Sequence, residues 1–106
     1  MKLLVIICLE EMQESIARIL NDSGIGCMGV MPFNGYRKGN ECPALGWFGR
    51  GSACEHTDSL LMFTFTESEM ARKAIEAINL YNTEHSYQFA PRAYALEVSE
   101  FSKLTD

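Results

Sequence analysis

Between Asn34 and Thr57 the sequence reads NGYRKGNECPALGWFGRGSACEHT, and the side chains able to do chemistry crowd into it. Arg37, Lys38 and Arg50 stand beside Gly39, Gly49 and Gly51, with Tyr36 next to them. Charged side chains together with bare backbone N–H groups suit a phosphate or carboxylate, and plain surface solvation is the competing reading. Cys42, Cys54 and His56 offer soft and borderline ligands for zinc or copper(I), with Glu41 or Glu55 as a further donor. Their spacing is unlike a C-x-x-C knuckle, so two unpaired thiols or a redox-labile disulfide account for it more simply than a metal site does.

Catalysis has no constellation behind it. The chain contains no Ser-His-Asp order, paired-carboxylate motif, phosphate-binding P-loop or GxGxxG. A thiol near His56 lacks the rigid third group that orients a base for nucleophilic attack, so a non-enzyme is expected. His85 is expected to order the turn before the last strand, or to pack at a subunit edge, rather than to titrate in catalysis.

The elements that must position these residues lie on either side. At 106 residues, 47% hydrophobic and 22% charged, the chain fits one globular domain, 1–106, in which 34–57 is a long functional loop holding five of the eight glycines. A compact domain rarely keeps such a long connection unless it binds or regulates something. A net charge of −5 disfavours nucleic acid and anionic membranes as partners, so any anionic ligand must be small and locally held. Met1-Lys2 followed by apolar Leu3 to Leu9 imitates a signal peptide, but Glu10-Glu11 ends the run without a small-residue cleavage site, and the run is too short to span a bilayer. It reads as a buried strand of a cytoplasmic protein. Cys8, and Cys27 within Cys27 to Met31, read as small core hydrophobes.

Periodicity completes the plan. Met12, Ile16, Ile19 and Leu20 form one helical face after the first strand, and Asn21-Asp22-Ser23-Gly24 stops that helix. A second strand follows over about Gly26 to Phe33, with Pro32 pointing to an edge. Leu60 to Phe65 is the third strand. Thr66 and Glu69 form a capping box for a helix striped by Met70, Ala74, Ile78 and Tyr81, with Ala71 and Ile75 beside the stripe. A last strand covers about Ala93 to Val98, and Phe101 ties down the tail. The order is βαββαβ, an α+β ferredoxin-like domain: a four-stranded antiparallel sheet with both helices on one face. Leu3 to Leu9 is apolar without a break, and Leu60 to Phe65 is nearly so, which makes both sheet faces seek burial. The second face is therefore expected to lie against other subunits.

Met1-Lys2-Leu3-Leu4-Val5-Ile6-Ile7 leading into a helix, and Gly26 to Phe33 running into Asn34-Gly35-Tyr36-Arg37-Lys38-Gly39, resemble the PII-type signalling proteins along nearly the whole chain. That resemblance implies a trimer whose sheets face inward, a ligand such as a nucleotide or metabolite at the intersubunit clefts, and target contact through the 34–57 loop. PII-type proteins close the nucleotide site with a glycine-rich, lysine-bearing segment before the last strand. Here Tyr81 to Phe89 has neither glycine nor lysine, so that phosphate loop does not carry over. His85-Ser86-Tyr87-Gln88, Pro91, Ala95-Leu96 and Trp47-Phe48-Gly49-Arg50 resemble the CutA-type proteins instead. Cys8-Leu9-Glu10-Glu11 does so too, without the proline expected after the cysteine. This second resemblance implies a divalent- or soft-metal-binding protein.

Overall fold

The computed structural model describes residues 1–33, 59–85 and 90–103. Four strands and two helices follow in the order β1 (Lys2–Leu9), α1 (Gln13–Asp22, entered through a 3-10 turn over Glu10–Met12), β2 (Gly29–Phe33), β3 (Ser59–Thr66), α2 (Ser68–Glu84) and β4 (Arg92–Glu97). The sheet order is β2-β3-β1-β4, with β1 antiparallel to both β3 and β4, and β2 antiparallel to β3. Each helix thus crosses over one intervening strand. This is the ferredoxin-like arrangement expected from the sequence, and Pro32 sits on an edge strand, where its missing N–H is tolerated.

The core lies between one sheet face and both helices. Leu4, Ile6 and Cys8 of β1 and Leu60 and Met62 of β3 meet Ile16 and Leu20 of α1 and Ala71, Ala74 and Ile78 of α2, all buried. The small Ala71 and Ala74 let α2 approach the sheet closely. Met12, just before α1, and Ile25, just after it, are buried in the same core.

Residue chemistry explains where α1 stops. The N–H of Ile25 donates to the carbonyl of Leu20 at 2.9 Å and that of Gly24 to Asn21 at 3.1 Å, the paired bonds of a Schellman ending. Gly24 adopts φ +95°, a left-handed conformation that side chains resist, and buried Ile25 packs in the same core as Leu20. The start of α2 differs from expectation. Thr66 is still in β3, opposite Lys2, and Glu67 occupies the cap position without a side-chain cap bond, so no Thr66–Glu69 box forms.

Two further expectations are corrected. Cys27 is exposed, because β2 begins only at Gly29 and Cys27 precedes the ladder on an edge; its carbonyl accepts a bond from Thr64 Oγ1 at 2.9 Å. Phe101 stands 59% exposed rather than anchoring the tail.

Candidate functional site

Strand register sorts every strand residue onto one of two faces. Opposite the helices lie Leu3, Val5, Ile7 and Leu9 of β1, Ser59, Leu61, Phe63 and Phe65 of β3, Gly29, Met31 and Phe33 of β2, and Arg92, Tyr94 and Leu96 of β4. No helix covers this face among the described residues. Phe65, Met31 and Leu96 are 58%, 51% and 50% exposed, a spread of large apolar side chains that water solvates poorly. Phe63 lays its ring over Gly29, where an added Cβ would meet Cζ at 2.5 Å. The unbroken apolar run of β1 thus does present a second apolar face, as its sequence requires.

One residue departs from this pattern. Among the described residues Arg92 is the single charged strand residue on the open face, and it is exposed. Its backbone is fixed by the residue before it: Pro91 is fully buried, and its carbonyl accepts a 2.9 Å bond from Asn82 Nδ2 in the last turn of α2. At the same helix end, His85 stacks on Tyr81 with ring centroids 4.4 Å apart, and its Nδ1 lies 2.9 Å from the Tyr81 carbonyl oxygen. That bond needs the proton on Nδ1, so the imidazole packs on the last turn of α2; the turn it was expected to order, 86–89, lies outside the described residues.

Register also fixes which end of the sheet this is. Phe33 pairs with Ser59, Ser59 pairs with Leu9, and Arg92 pairs with Ile7. The two ends of the 34–58 connection therefore leave side by side from the same end of the sheet at which β4 begins. Three strand spacings, about 15 Å, separate β2 from β4 there. Tyr36, Arg37, Lys38, Gly39, Gly49, Arg50 and Gly51, together with Cys42, Cys54 and His56, lie outside the described residues, as do positions 86–89. Among the described residues no group of His, Cys, Asp and Glu is placed to hold a metal ion, and no helix is long and apolar enough to cross a membrane.

At the opposite end an open groove runs between α2 and β4, with Ala71, Ile75 and Ala95 as apolar lining. Its cations are already engaged: Lys2 Nζ lies 2.7 Å from Glu97, and Arg72 lies 3.1 Å from Glu76 and 4.0 Å from Glu69. The hydrogen bond and charge of Lys2 hold the Glu97 carboxyl below its ordinary range. Arg92, by contrast, has no anionic partner among the described residues, which makes its end of the sheet the better candidate for binding an anion. Sequence reasoning missed Arg92, because only the strand register separates it from an ordinary surface cation.

No protein-family model matches the sequence, and no curated protein does. The fold has a solved counterpart in CPII, a nitrogen regulatory PII-like protein from Thiomonas intermedia K12, whose structure was determined with ADP, AMP and bicarbonate bound. The two are similar with a TM-score of 0.64 over 97% of this chain and 94% of that one, at 13% sequence identity. At that identity the likeness is one of fold alone.

Proposed function

We propose that this chain is a PII-like regulatory, ligand-sensing protein that works as a homotrimer. Open sheet faces pack inward, a small anion (a nucleotide or a metabolite) binds at the clefts between subunits, and the 34–57 loop carries the result to a partner protein. The observation that carries this reading is Arg92, among the described residues the one charged strand residue on a mostly apolar open face, at the sheet end from which the long connection departs. When such a face is buried, an unpaired guanidinium is costly, so Arg92 calls for an anion at the rim. Its planar fork suits phosphate or carboxylate and takes the place of the lysine that the Tyr81 to Phe89 segment lacks. Arg37, Lys38 and Arg50 are the residues proposed to close over that anion from the loop.

The ligands of CPII define the probes. Thermal unfolding of the purified chain with ADP, AMP or bicarbonate should show saturable stabilisation by at least one of them. A hundredfold excess over the dissociation constant corresponds to about 2.7 kcal/mol. Arg92→Ala should abolish that shift without lowering the unliganded melting temperature, since the guanidinium has no anionic partner among the described residues to lose. No stabilisation by any of the three at millimolar concentration, or an equal shift in Arg92→Ala, would overturn the assignment of the site.

A further inference from the structure

We draw no further inference here: the strongest candidate, the open groove between α2 and β4 beside Lys2, Arg72, Ile75 and Ala95, has both of its cations engaged by neighbouring glutamates, and nothing in the structure shows what covers it.

Discussion

The two described thiols differ because of where the backbone places them. Cys8 is fully buried between sheet and helices, its Sγ 4.0 Å from Met62 Sδ, and burial pushes its pKa up to about 11. The thiolate is the reactive form, so Cys8 should resist a thiol reagent in the native protein and react only on unfolding, whereas Cys27 should react at once. Labelling followed by peptide mass mapping checks this, and prompt modification of Cys8 would mean that the core opens readily. The sign of the pH effect follows from the same shift. Deprotonation favours the unfolded chain, so this contribution to stability is fully present below about pH 9 and is lost as pH rises toward 11, up to about 3 kcal/mol. Cys8 was legible because it sits inside a long apolar run. Cys27 was misread because its neighbours are equally apolar, and only the late start of β2 reveals that its side chain falls outside the ladder.

Elements were legible wherever a local signal had no competitor. The stop at Gly24 is one such signal, and Gly24→Ala should cost about 1–2 kcal/mol, since a side chain must take up φ +95° and its Cβ would meet Met70 Sδ at 2.8 Å. Met70 is flexible and can move, so most of the loss should come from the backbone. Denaturant unfolding measures it, and an unchanged midpoint would refute this account of the α1 ending. The start of α2 was misjudged because two local signals competed. Thr66 reads as a helix cap, but pairing with Lys2 extends β3 through it, and the ladder outweighs a cap bond worth about 1 kcal/mol. For the 34–57 connection, what the strands settle is that its two ends are neighbours, at Phe33 and Ser59. Replacing Gly39 to Ala53 by a short Gly/Ser turn should leave assembly and melting temperature nearly intact, because closure entropy changes slowly with length, while ligand or partner binding is lost. Loss of assembly would instead make Trp47 and Phe48 interface anchors.

At the scale of the whole molecule, the sequence already contained the ground for expecting assembly: β1 is apolar on both sides, whereas the helices cover one. Which residues form the uncovered face, and that Arg92 interrupts it, required the pairing register, which follows from contacts between strands far apart in the chain. Phe65 is 58% exposed at the end of β3, so a charge there should be tolerated by the single chain and rejected by a buried face. Phe65→Glu should therefore keep the helix and strand signature in circular dichroism and lose association. The most direct test is the molar mass of the unmodified chain by light scattering at micromolar concentration, beside that variant. Self-association through the open face predicts about three times 11.9 kDa for the unmodified protein and a single chain mass for Phe65→Glu. A unit mass of 11.9 kDa for the unmodified chain across the concentration range would contradict it, leaving Phe65, Met31 and Leu96 in water and the PII-like reading without its clefts.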